Sequence, residues 1–334
     1  MSESTGDIKL RCLYRLVDMS ESDEGMLDVI KFCVDLGMIA DRYECPKCGK
    51  CMVLTKTKRV GDRYEWVCRS KKGAGHHITR SIRRGTWFEQ SKLSLANILL
   101  MTAFFVREVS QNVIMNELDL SPCTVCDWRG LFREICLEAC LSSPPIGGPG
   151  VIVEIDECNF RKHKLNRGER LGGKWFLIGV ERGGRKCFLR VVKNLDNESL
   201  VSVIKSSVIL GSNVYIGFWK SHESLEIEGY RHMVTDHSTN FKGTARGMHT
   251  NAIKGTWSAI KKQIAFRTEP DQFDSYLAEH LWRKNQADQN DHTRAFFRDI
   301  ARVCRPPTSD RMVRFDDPAQ TFESTESDEP STSG

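Results

Sequence analysis

Apolar positions recur at helical spacing early in the chain. Met26, Leu27, Ile30, Phe32, Cys33 and Leu36 fit one amphipathic face, with Gly37 next as a C-cap. Residues 1–42 therefore read as a helical segment that docks on the neighbouring module. A second, more continuous run spans Leu93, Leu95, Ile98-Leu99-Leu100 and Ala103–Val106 and predicts one buried helix. Ser110–Leu118 predicts a short helix, Asp119–Pro122 a turn, and Cys123–Arg133 a further helix, with Ser121 as N-cap and Pro122 at N1. That is helix-turn-helix spacing, and it offers Thr124, Asp127 and Arg129 on the second helix for base or phosphate contact.

The pattern then changes period. After the turn-forming run Pro144–Gly150, Val151-Ile152-Val153-Glu154-Ile155 alternates as a strand does and ends in adjacent carboxylates, Asp156 and Glu157. Buried charge is costly unless it is paired or holds a metal, which makes Asp156 a candidate for catalysis or metal binding; the alternative is a solvated strand end. Trp175–Val180 and Lys186–Val192 flank Glu181-Arg182-Gly183-Gly184-Arg185 as a hairpin. Asn197–Ser207 reads as a helix, Ser212–Gly217 and Gly229–Val234 as strands, and His249–Ile264 as a helix. Three strands, a helix, a strand and then alternation predict an α/β fold with a ribonuclease H-like core over 150–300. A helical, helix-turn-helix-like region (91–143) precedes it.

Composition adds a metal and a nucleic acid to this picture. The 334 residues contain 13 cysteines. The opening residues are polar, with no signal-peptide pattern, and no apolar run reaches membrane-spanning length; reduced thiols and a metal site are expected rather than a disulfide framework. Cys45-Pro46-Lys47-Cys48-Gly49 is a Cys-x2-Cys knuckle, and Cys68 comes at the distance a returning hairpin needs. No second Cys-x2-Cys closes the set, so the fourth ligand falls to His77, with His76 and Cys51 as alternatives. Residues 43–90 then form a zinc ribbon with structural Zn2+ on Cys45, Cys48, Cys68 and His77. Four protein ligands leave no open position for chemistry. Cys123, Cys126, Cys136 and Cys140 lie in continuous helix and read as small apolar side chains.

Residues 43–90 carry 12 basic and 4 acidic residues, against 5 and 9 in residues 1–42. A basic block beside a cysteine cluster points to nucleic acid, with Arg80, Arg83 and Arg84 beside Trp87 and Phe88 as phosphate contacts; a solvated strand edge is the plainer alternative. Lys162 in a basic loop and Lys261 and Lys262 near the core extend that set. The end, 310–334, is acidic and rich in Ser and Thr, and is expected to be disordered.

Several of these pieces, in this order, resemble the Merlin-type transposases of eukaryotes and their bacterial insertion-sequence relatives. The matching pieces are the Cys45–Gly49 ribbon, the block Arg83-Arg84-Gly85-Thr86-Trp87-Phe88-Glu89-Gln90-Ser91-Lys92-Leu93, and the Glu154–Glu157 strand. Val180–Gly184, Gly229–His232 with His237-Ser238, His249–Ile253, Trp257-Ser258 with Lys261, and Tyr276–Arg283 complete them. The resemblance implies an acidic triad that holds two divalent ions for nucleotidyl transfer. Asp156 stands at the first acidic position, but Gly217 and Lys254 stand where the other two acids are expected. Mg2+ prefers hard oxygen ligands, and a protonated lysine repels it. Glu154, Glu157 and Asp236 are candidate stand-ins, but the strand neighbours Glu154 and Glu157 do not reproduce ligands from other strands, and Asp236 lies past the following strand.

The chain is therefore expected to be a transposase-derived DNA-binding protein without strand-transfer activity and without bound Mg2+, located in the nucleus. An active metal-dependent transposase and a protein-interaction scaffold are the alternatives. DNA is the expected partner, with no membrane and no small-molecule substrate. The resemblance also implies a homo-oligomer.

Overall fold

The computed structural model describes residues 7–71, 75–159, 175–192, 195–216, 228–233, 253, 255, 256, 258 and 273–310. The N-terminal segment forms two helices, α1 (Leu10–Met19) and α2 (Asp23–Asp35), where the apolar spacing suggested a helical run. Ser22 caps α2 by accepting the Gly25 N–H. The helix ends in a Schellman motif: Gly37 adopts φ +74°, Gly37 N–H donates to Val34 O, and Met38 N–H donates to Cys33 O.

The ribbon is a three-stranded antiparallel sheet, β1 (Val53–Lys56), β2 (Tyr64–Ser70) and β3 (His76–Ser81), in that order. Next come α3 (Leu95–Val106), buried along nearly its whole length, α4 (Gln111–Leu118) and α5 (Pro122–Leu141). Ser121 accepts the Thr124 N–H and Pro122 opens α5, as the sequence indicates. Asp119 makes the turn between the two helices in the left-handed region.

The second sheet is mixed. It contains β5 (Ile152–Asn159), β6 (Trp175–Glu181) and β7 (Cys187–Val192), joined antiparallel in sequence order. β9 (Asn213–Ile216) adds parallel to the other side of β5, and β10 (Arg231–Met233) adds parallel to β9. The order across the sheet is β10-β9-β5-β6-β7. A separate small parallel pair is formed by β4 (Ile146–Gly147) with β8 (Val208–Ile209). Helix α6 (Asn197–Ser207) connects β7 to that pair. Helices α7 (Phe273–Gln286) and α8 (His292–Val303) complete the described elements.

Strand alternation gives the sheet two apolar faces. Val153, Ile155, Leu177, Phe188 and Val214 pack with Leu200 and Ile204 of α6. Phe176, Ile178, Val180 and Leu189 join the larger core with α5 and α7. Gly179 lies opposite Phe188, and a Cβ there would meet the ring at 2.0 Å, so that strand position accepts only glycine without a shift.

The larger core runs without interruption from Ile8 to Ile300. Its centre is a ring of aromatics: Phe105 and Phe132 with centroids 4.9 Å apart, and Phe296 against Trp282 at 5.0 Å. Residues of 1–42, 43–90 and 91–143 all contribute to this core, and α5 joins them to the C-terminal helices. Its second half buries Phe132, Ile135, Cys136, Leu137 and Cys140 in the same core as α7 and α8.

Candidate functional site

The knuckle and the hairpin bring four ligand atoms together. Those of Cys45, Cys48, Cys68 and His76 all lie within 4.8 Å of one another. Cys45 Sγ and Cys68 Sγ are each 3.4 Å from His76 Nε2, and Cys48 Sγ is 3.7 Å from Cys68 Sγ. Zn–S and Zn–N bonds of about 2.3 and 2.0 Å in a tetrahedron require edges of roughly 3.5–3.8 Å, so the spacing suits such an ion. Gly49, at φ +69°, lets the turn close with Gly49 N–H donating to Cys45 O and Cys45 N–H to Lys50 O. Burial opposes ionisation of the Cys45 thiol, but the backbone amides of Cys48 and Lys47 and the neighbouring thiols outweigh it and hold its pKa below the ordinary value. Burial, with the other two thiols, pushes Cys68 up to about 11 without an ion. A bound cation reverses that balance, because it ligates the thiolate.

The histidine that joins the three cysteines in this cluster is His76, and His77 lies outside it. β2 and β3 pair with Cys68 opposite Ile78, Arg69 opposite His77 and Ser70 opposite His76. Side chains two apart share a face, so Cys68 and His76 point together while His77 lies with Arg69 on the other face, exposed. Cys51 is exposed, bridges Glu44 in the backbone and stands outside the cluster. The hairpin register decides the choice, and spacing alone does not contain it.

The arginines expected to meet phosphate are engaged inside the protein. Arg83 is buried; its Nε and Nη2 each donate to Asp62 at 2.6 Å, and the guanidinium also donates to the carbonyls of Ser91 and Leu93. Arg80 grips both carboxylate oxygens of Asp310, Arg84 Nε donates to the same carboxylate at 3.1 Å, and so does the Tyr43 hydroxyl at 2.8 Å. Arg80, foremost, holds the Asp310 pKa down to about 2 against burial. Asp310 thus belongs to the folded body, not to the tail expected from residue 310 onward. Asp23 likewise takes Lys56 and Arg63, and Glu65 takes Arg59. The ribbon cations with no acidic partner among the described residues are Lys47, Lys50, Lys58, Arg69 and Lys71, all exposed.

On helix α5 one of the three expected contact residues is withdrawn, while Asp127 stays exposed. Arg129 turns inward, donates to Val109 O and lies 6.0 Å over the Phe105 ring; burial lowers its pKa from the ordinary value. Arg133 is buried over Tyr276 at 4.3 Å and donates to Ser275. Thr124 sits half-buried in the first turn.

On β5 the two faces treat their acids differently. Glu154 is fully buried: Oε1 accepts from Arg182 Nε at 2.7 Å and Oε2 from the Ile253 N–H at 3.0 Å. Arg182 in turn lies 4.7 Å over Tyr215 of the adjacent strand. Glu154 is therefore a structural tie, with both oxygens committed, and not a stand-in metal ligand. Asp156 is half-buried, and its Oδ1 accepts the Glu157 N–H. Glu157 faces the opposite side. Burial, opposed by a backbone N–H and reinforced by the charge of Asp156, raises its pKa to about 7, and its Oε2 has no hydrogen-bond partner among the described residues. Gly217, Lys254, Asp236, Lys162, Lys261 and Lys262 lie outside the described residues.

Residues 146–285, the stretch that carries the mixed sheet and α7, match the family model of the ISXO2-like transposase domain. Over 105 residues the chain is 29% identical to an uncharacterized transposase-like protein of Haemophilus influenzae, a span covering 31% of this chain and 84% of that protein. The segment is transposase-like.

Proposed function

We propose that this chain is a transposase-derived DNA-binding protein of Merlin type, with a ribonuclease H-like core that has lost strand-transfer activity. The observation that carries the reading is Asp156, a half-buried carboxylate on the central strand of the sheet, in a sequence that has Gly217 and Lys254 where two further acids are expected. Three antiparallel strands joined by two parallel ones, with the first strand central, is the order expected of a ribonuclease H-like sheet and supports the core assignment.

A two-metal site does not fit the residues present. One carboxylate, a residue without a side chain and a lysine supply too few hard ligands and one repulsive charge. The Cys3His cluster does fit Zn2+, with Cys45, Cys48, Cys68 and His76 as ligands, and a zinc there would hold the ribbon together.

DNA contact on this reading falls to the ribbon cations left without acidic partners, Lys47, Lys50, Arg69 and Lys71, which flank the metal ligands in sequence. The nucleus and a homo-oligomeric assembly belong to the same reading. The test is duplex binding by fluorescence anisotropy in EDTA across a salt series. Binding should persist without divalent ions, and each of Lys47→Ala, Lys50→Ala and Arg69→Ala should flatten the log–log salt slope by about one. Divalent-dependent cleavage that Asp156→Ala abolishes would point instead to an active enzyme using replacement ligands such as Glu157.

A further inference from the structure

A cleft of about 990 Å³ opens where the loop after the ribbon meets α5 and the end of α8. Its floor is apolar and partly open: Trp87, Leu93, Leu131 and Val303 pack on the large core yet remain half-exposed. Trp128 backs Trp87 edge-on, with centroids 5.1 Å apart.

The rim is acidic. Glu89, Asp127, Glu134 and Glu138 line the cleft, with Lys92 as the one lysine or arginine among the lining residues. Glu89, Asp127 and Glu138 have no cationic partner among the described residues. Both arginines of α5 are committed elsewhere: Arg129 faces Phe105 and Arg133 faces Tyr276. The outer face of the helix pair is thus acidic where a DNA-reading surface needs cations, and a phosphate backbone would be repelled from it.

We infer that this cleft docks a basic, apolar polypeptide segment of a partner protein. Lysine or arginine side chains of the segment meet the acidic rim, and its apolar side chains cover Trp87, Leu93 and Leu131. Charge complementarity selects the occupant, and the aromatic floor supplies the anchor. The inference stands apart from the transposase reading, because it uses no residue of the mixed sheet.

The test uses the full chain and fluorescein-labelled synthetic helical peptides monitored by anisotropy. One peptide carries Lys and Leu in amphipathic register, one has Glu for each Lys, and one has Ser for each Leu. The Lys/Leu peptide should bind, and the other two should bind at least about tenfold more weakly. The triple substitution Glu89→Lys, Asp127→Lys, Glu138→Lys should cost at least about fivefold in affinity, because it replaces three rim attractions by repulsions. Lys92→Glu, a surface change on the same rim, should tighten binding. Four results overturn the inference: equal binding of the Lys/Ser peptide; a change under about twofold on charge reversal; duplex DNA competing for this face; or self-association, measured by sedimentation, that the triple substitution abolishes.

Discussion

Glu154 on β5 accepts the backbone N–H of Ile253 at 3.0 Å, across 99 residues of chain. The same carboxylate holds Arg182 at 2.7 Å. A buried carboxylate with both oxygens engaged ties the central strand to Ile253 and to the hairpin turn after β6. Removing it takes the ion pair from the half-buried Arg182 guanidinium and leaves the buried Ile253 N–H without its acceptor. Glu154→Ala should therefore destabilise the protein by ~3–5 kcal/mol, and Glu154→Gln by less. Urea unfolding checks both, and near-equal stability of the alanine variant would refute the tie.

Arg83 and Asp62 form the corresponding pair under the ribbon. Either alanine substitution alone should cost ~3–5 kcal/mol, while the double substitution should cost less than the sum of the two. A double-mutant cycle in urea measures this. Anisotropy with duplex DNA supplies the second half: substitutions here should leave the salt slope unchanged, because no free cation is lost.

His76→Ala should abolish stoichiometric zinc binding and loosen the ribbon. His77→Ala should retain one equivalent, since His77 lies on the opposite face of β3. Elemental analysis of purified protein, with thiol accessibility of Cys45, Cys48 and Cys68 as a companion readout, distinguishes them. Retention of zinc in the His76 variant would overturn the ligand set.

Much of this architecture can be read from the chain. Ser121 and Pro122 start α5 where turn chemistry says they should, and the alternation through Val151–Ile155 marks the central strand. Three cysteines of the metal cluster are legible in their spacing. The fourth ligand is not, because His76 and His77 differ only in which face the β2–β3 register gives them. Nor is the fate of the arginines. Arg80 and Arg84 are close to aromatics in sequence, but the carboxylate that claims them, Asp310, arrives more than 220 residues later. Arg129 has the look of a surface residue on a short helix, and only the packing of α5 under α3 and α7 turns it inward. Local pattern carries element identity, whereas the pairing of charges is a property of the closed fold.

Asp310 also gives the protein a pH-dependent clasp. Its folded pKa, about 2, lies below the unfolded carboxylate value of roughly 4. The unfolded state thus binds the proton first, so the contribution is fully present above about pH 5 and is lost as pH falls from about 4 through 2. Asp310→Asn should lower the melting temperature at pH 7. The gap to the unsubstituted protein should shrink progressively below pH 4. A gap that widens on acidification would contradict the assignment.

The central claim is that the fold of a transposase core persists here without its metal chemistry. Calorimetric titration of Mn2+ into the zinc-loaded protein, comparing the chain as it stands with the Gly217→Asp, Lys254→Glu double substitution, tests it most directly. The account predicts that only the restored chain binds Mn2+ and that Asp156→Ala then removes the binding. Tight Mn2+ binding by the unsubstituted chain, abolished by Asp156→Ala, would contradict it.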